Sequence, residues 1–129
     1  MQFMVLIYND PELLGAVPQA DADEMMRGCL EHADELRREG RLLETHMLGE
    51  AREAKAVRVR NGRTTIIDGP FAEAKEVLGG FNLIEAKDLD EAVAIASEFP
   101  WARTGRVEVR AVVDVGAVRE RVGAPAAAG

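Results

Sequence analysis

Two short stretches of the chain, Phe3 to Tyr8 and Phe81 to Ala86, carry apolar residues at both odd and even positions. A strand with that pattern has no face fit for water, so each must be covered on both sides. Each lies beside a helical pattern. Asp21 to Glu39 places Met25, Met26, Cys29, Leu30, Ala33 and Leu36 on one arc, weakened by Gly28 and stopped by Gly40. Asp88 caps a second helix through Phe99, with Glu91 at the capping-box position. Its buried stripe reads as Leu89, Ala92, Val93, Ala96 and Phe99, closed by Pro100. Leu42 to Leu48 and Arg106 to Val113 read as the strands that follow the two helices, and Asn9 through Ala20 as a loop.

Between these halves, Val57 to Arg60 and Arg63 to Asp68 flank Asn61-Gly62, a two-residue loop suited to a type I′ hairpin. The order is therefore β-α-β, an inserted β-hairpin, and β-α-β. That is an α+β fold of ferredoxin-like type, an antiparallel sheet with both helices on one face. The other face needs a cover, and in a chain of 129 residues a second copy of the same sheet is the expected one. The expectation is a homodimer whose sheets stack into an α/β barrel. Residues 1–113 form the domain, and 114–129 a C-terminal tail, partly flexible, because its closing Gly-Ala-Pro-Ala-Ala-Ala-Gly has too little apolar bulk to fold alone.

Composition excludes several classes. Aromatic residues make up 5% of the chain and the formal charge is −7, so stacking on bases and attraction to phosphates are both disfavoured and no nucleic-acid partner is expected. The lone Cys29 cannot form an intrachain disulfide, which fits a reducing, cytoplasmic setting. No basic leader precedes the first apolar run, and no stretch approaches the roughly 18 apolar residues of a spanning helix, so no membrane partner is expected. Two histidines and one cysteine, widely spaced, make no metal signature, and neither a metal nor a cofactor is expected. Phosphate-binding glycine motifs are absent, and Ser97, the only serine, lies in a helix without a nucleophile elbow.

The run Asp68-Gly69-Pro70-Phe71-Ala72-Glu73-Ala74-Lys75-Glu76, followed by Leu78-Gly79-Gly80-Phe81, resembles the signature of the DGPF family, a branch of the YCII-related proteins. The opening strand ending in Tyr8, the hairpin from Val57 to Arg63 and Val107-Glu108-Val109-Arg110 extend the likeness. The resemblance implies a dimeric α+β-barrel fold. Some relatives are encoded beside, or fused to, sigma factors of the extracytoplasmic-function type. YCII-type relatives have been proposed to use a His on the first helix and an Asp before a Pro after the second. Here Phe99 precedes Pro100, and His32 stands about one turn from the expected position, where Cys29 aligns. That dyad does not carry over.

The residues offer other candidates. Asp68 shares the Val57/Ile66 face of the hairpin, and if that face is interior, desolvation would raise its pKa and suit it to general acid or base work. The competing reading has it hold the Gly69-Pro70 turn or pair with Lys55. His46 shares strand parity with Leu42, Glu44 and Leu48, and imidazole suits proton transfer, although a core or interface histidine explains it as well. Lys75 is a candidate for a substrate carboxylate or phosphate, with Glu73 as its partner or as a proton carrier. Both also read as solvated charge. Arg110 is a candidate anion anchor, Tyr8 a candidate hydroxyl, and Cys29 with His32 a geometrically possible thiol–imidazole pair. The wider barrel group contains isomerases, dehalogenating enzymes and cofactor-independent oxygenases. By that analogy Asp68 or His46 acts as base on a small organic acid held by Lys75 and Arg110. The alternative is a non-catalytic ligand-binding or regulatory module.

Overall fold

The computed structural model describes residues 1–69 and 75–125. Its main sheet contains β1 (Gln2–Asn9), β2 (Leu42–Met47), β5 (Val77–Glu85) and β6 (Gly105–Ala111) in the order β2-β5-β1-β6. Every neighbouring pair is antiparallel. With α2 (Gln19–Arg38) joining β1 to β2 and α3 (Leu89–Ser97) joining β5 to β6, this is the ferredoxin-like arrangement.

The core lies between the sheet and these two helices. Phe3, Val5 and Ile7 of β1 and Ile84 of β5 point toward Ala33 and Leu36 of α2, Ala92, Ile95 and Ala96 of α3, and Phe99 and Trp101. Each large apolar side chain buried there contributes about 1.5–3 kcal/mol relative to exposure. The even residues Met4, Leu6 and Tyr8 are half-buried on the opposite face, which no element of the chain covers among the described residues. The two-sided apolar pattern of β1 thus has one side filled within the chain.

Helical faces differ in detail from the apolar arcs in the sequence. Leu30 is exposed, past the edge of the arc that buries Ala33 and Leu36. On α3, Ile95 is buried while Leu89 and Val93 are half-exposed, because the helix turns Ala92 and Ala96 to the sheet. Asp88 Oδ1 accepts from the Glu91 amide at 2.8 Å as the capping pattern implies. The Glu91 carboxylate bonds instead to Arg41 Nη2 at 2.7 Å, with the Lys87 amide at 3.4 Å.

Two helices were not anticipated. Within the segment read as loop, α1 (Pro11–Gly15) is capped by Asp10, whose carboxylate accepts from the Glu12 and Leu13 amides. Beyond the last strand, α4 (Val115–Val122) is capped by Asp114 and ended by Gly123 at φ +73°. No residue of α4 is buried.

The hairpin of β3 (Lys55–Arg60) and β4 (Arg63–Asp68) turns at Asn61 and Gly62, both at positive φ as type I′ demands. Val57 faces Ile66 and Lys55 faces Asp68. The hairpin forms its own two-stranded sheet, and the Val57/Ile66 face is not interior: Val57 is 70% and Ile66 63% exposed.

Strand β2 departs from simple alternation. Leu42 pairs with Ile84, and Glu44, not Leu43, pairs with Leu83. This β-bulge gives β2 one extra residue, which moves Glu44 and His46 to the face opposite Leu42. Leu42 is buried in the core, whereas His46 sits opposite Phe81 on the face without helices.

Candidate functional site

The connection from β2 to β3 folds back over the start of β5. The Leu48 amide bonds to Gly79 O at 2.9 Å, and a 3-10 turn at Ala51–Glu53 follows. The Gly69 amide, at the foot of the hairpin, bonds to Ala54 O at 2.8 Å. A Cβ at residue 69 would lie 2.2 Å from Ala51 O, so only glycine lets the chain pass beneath this turn. Between the turn and β5 lies a cavity of about 530 Å³, lined by Leu48, Gly49, Glu50, Ala51, Glu53, Ala54, Glu76, Val77 and Leu78. That volume falls in the range of small-molecule sites, and its wall is largely apolar.

Glu76 is the lining residue with a built environment. Its Oε1 accepts from Arg106 Nη1 at 3.1 Å, and its side chain is 27% exposed. Arg106 lies opposite Tyr8 in the β1–β6 register, and its guanidinium carbon sits 4.1 Å from the Tyr8 ring centroid. The stacked, planar guanidinium holds the carboxylate in one orientation. Glu108 Oε1 approaches the same guanidinium at 4.0 Å. Glu50, across the cavity, pairs with Arg52.

The residues singled out from the sequence do not converge. Asp68 is 75% exposed at the side chain and pairs with Lys55 Nζ at 3.4 Å, so the burial supposed for its carboxylate is absent. Lys75 is exposed immediately before Glu76, and Glu73 lies outside the described residues. His46 is exposed with its ring 5.2 Å from that of Phe81. Arg110 is exposed opposite Met4. His46 and Arg110 occupy the two outer strands of the sheet, three strand spacings or about 14 Å apart. Tyr8 takes part through its ring face, under Arg106.

Neither Glu76 nor Arg106 stands out in the sequence. Glu76 is one of several charges in the Asp68–Glu76 run. Arg106 becomes its partner only through the register that sets Asn9 against Gly105 and Tyr8 against Arg106.

Cys29 and His32 are each engaged elsewhere. Trp101 Nε1 donates to Cys29 Sγ at 3.3 Å, and burial pushes the thiol's pKa up despite that bond. His32 Nε2 is 3.1 Å from Ile95 O, Nδ1 is 3.3 Å from Glu98 Oε2, and the ring stands edge-on to Phe99 at 4.5 Å. The histidine therefore ties α2 to α3 and does not activate the thiol. A second, more polar space of about 260 Å³ lies beside it between the two helices.

Among the described residues no group of three His, Cys, Asp or Glu is placed to hold a metal ion, and no helix is long and apolar enough to cross a membrane.

The chain is 36% identical over 112 residues to an uncharacterized protein of Rhizobium meliloti (strain 1021), an overlap of 85% of this chain and 90% of that one. Among solved structures it is similar to 5-chloro-2-hydroxyhydroquinone dehydrochlorinase from Burkholderia phenoliruptrix, in complex with 2,5-dihydroxybenzoquinone. The identity is 16% and the TM-score 0.49, over 88% of this chain and 94% of that one. The sequence profile described as the YCII-related domain matches residues 1–116. The chain belongs to the YCII-related family.

Proposed function

We propose that this protein binds a small organic acid in the cavity beneath the Ala51–Glu53 turn and transfers a proton there through Glu76. The observation that carries the reading is the Glu76 carboxylate, set in an apolar wall and oriented by an arginine stacked on Tyr8. A carboxylate fixed in this way is a suitable general base, because its orientation is settled before a substrate enters. Three carboxylates line the cavity, Glu50, Glu53 and Glu76, and two of them are paired: Glu50 with Arg52 and Glu76 with Arg106. Lys75, exposed next to Glu76, is the cation available to an acid group on the ligand. In this reading Glu76 takes the role that the sequence offered to Asp68 or His46, while Asp68 closes the hairpin with Lys55.

The half-buried row of Met4, Leu6, Phe81 and Leu83 on the open sheet face supports a second proposal, a homodimer formed by stacking that face on its copy.

Ligand-observed NMR against a library of small aliphatic and aromatic carboxylic acids tests the cavity. Leu78→Trp, which fills it, should abolish binding, and Glu76→Gln should change the pH dependence of binding or turnover. Binding that neither substitution alters rejects the reading. The alternative, a ligand-binding module without chemistry, is favoured by the pairing of Glu76 with Arg106, since an ion pair also serves simply to shape a wall. Ligands that bind at the cavity and are never converted decide for that alternative.

A further inference from the structure

Strands β3 and β4 pair only with each other, so each keeps one open edge. Along β3 the residues alternate strictly. Lys55, Val57 and Val59 share one face, and Ala56, Arg58 and Arg60 the other. Across the ladder Ile66 joins the valine face, while Arg63 and Thr65 join the arginine face. Val57, Val59 and Ile66 all stand exposed. Among the described residues the hairpin's ion pair joins Lys55 to Asp68, at its open end and on the valine face. The other face holds three arginines, with Arg60 directly opposite Arg63, an arrangement of like charges that weakens a strand pair.

The backbone of β3 is also open to a partner. Arg60 and Arg63 close the two-residue turn and are therefore a hydrogen-bonded pair, so Val57 and Val59 turn their N–H and C=O groups away from β4. Arg60 Nη1 donates to the Val59 carbonyl oxygen at 2.9 Å, the bond that an adjoining strand would otherwise supply. Strand β3 carries no proline and no bulge, the usual devices that close an edge. Its charges close it selectively, since they repel a basic strand and draw in an acidic one. The chain carries a net charge of −7, whereas the hairpin has four cations and one carboxylate.

We propose that the open edge of β3 takes up an extended acidic segment of another protein as a third, antiparallel strand, one in which carboxylates alternate with apolar side chains. An added strand lies about 4.8 Å away, and residues directly opposite share a face. The apolar residues of the segment cover Val57 and Val59, and its carboxylates lie beside Arg58 and Arg60, where they offset the repulsion between Arg60 and Arg63. Main-chain bonds give affinity, and the alternation gives selectivity. No residue of β3 lines the cavity beneath the Ala51–Glu53 turn, so the proposal is independent of the Glu76 reading.

A fluorescein-labelled heptapeptide, Glu-Val-Glu-Val-Glu-Val-Glu, titrated with the full chain and read by anisotropy, is the probe. It should bind with a Kd on the order of 100 μM, and more weakly at high salt because the arginines are exposed. A peptide of the same composition with all its glutamates before its valines should bind about tenfold more weakly. Methylating the valine amide nitrogens, which face β3 in an antiparallel addition, should abolish binding, and methylating the glutamate amides should not. Arg58→Glu should weaken the probe about tenfold, the scale of a close interfacial charge pair. Arg58→Glu with Arg60→Glu should reverse the preference, toward Lys-Val-Lys-Val-Lys-Val-Lys, a gain that an unfolded chain does not show.

Equal binding of the reordered peptide, binding that survives valine methylation, or binding unchanged by Arg58→Glu overturns the proposal. So does the absence of binding at about 1 mM peptide. Amide resonances of residues 55–60 that shift with protein concentration and not with peptide assign the edge to a second copy, and overturn it as well.

Discussion

Glu76 and Arg106 meet at 3.1 Å although 30 residues separate them in sequence, and the arginine reaches the carboxylate while lying against the Tyr8 ring. The arginine is half-exposed, so solvent screening limits the pair's effect on stability even though it orients the carboxylate. A double-mutant cycle with Glu76→Ala and Arg106→Ala, measured by urea unfolding, should return a coupling of about 0.2–1 kcal/mol. Arg106→Lys should retain the charge and lose the stacking, loosening ligand binding more than stability.

Gly28 sits within α2, and a Cβ there meets nothing within 4 Å. The position gains nothing from glycine and loses backbone entropy on folding. Gly28→Ala should stabilise the protein by about 0.5–1 kcal/mol, seen as a higher denaturant midpoint with an unchanged slope.

Gly69 behaves in the opposite way. Its closest neighbour would be the Ala51 carbonyl oxygen, a backbone atom that cannot swing aside. Gly69→Ala should destabilise by about 1–3 kcal/mol and shift the amide resonances of residues 48–54, all but Arg52 lining the cavity. Amide spectra unchanged in that segment would contradict the close approach.

Hydrogen bonding to Arg41 holds the Glu91 carboxyl below the usual carboxylate range, and the bond to Glu91 raises Arg41 further into its charged range. A lowered carboxylate pKa stabilises the fold fully above the unfolded value, about 4.3, and that contribution is lost as pH falls through the folded value. Arg41→Gln should therefore narrow the stability gap from the unmodified protein as pH drops from 6 toward 3, measured by unfolding at a series of pH values. A gap that widens on acidification would reverse the assignment.

Cys29 is half-buried and its thiol pKa is raised, chiefly by that burial. Alkylation by iodoacetamide near pH 8 should be slower than for a free cysteine and should accelerate on unfolding, because the thiolate is the reacting form.

Much of the architecture is legible because local signals agree. Asn61-Gly62 allows positive φ at both positions, and that turn fixes the register that sets Lys55 against Asp68. The two-sided apolar run of Phe3 to Tyr8 marks the strand that becomes a central member of the sheet. The short helices hid behind the same logic. Asp10-Pro11 reads as a strand-ending break, yet an Asp cap with Pro at the first helical position also starts a helix. Asp114 and Gly123 bracket α4 with sound signals at both ends, but no buried stripe drew notice to them. The site was less legible because Glu76 acquires its partner from strand pairing between β1 and β6. Asp68 looked interior only because its hairpin face carries Val57 and Ile66, and those residues stand in solvent.

The bulge in β2 makes chain length, more than residue identity, the sensitive property of that strand. Leu43 is the residue without a counterpart on β5, and it is partly exposed. Replacing it should alter little. Excising it would join Leu42 to Glu44 in regular register against Ile84 and Leu83, so that Glu44 and His46 keep their face, whereas inserting one residue between Glu44 and His46 would turn His46 toward the helices and set the imidazole among aliphatic carbons. An inserted residue beyond the bulge is thus a far harsher lesion than any exchange at Leu43 or its removal, and homologous chains should vary at the bulge itself but not in the spacing from Glu44 onward.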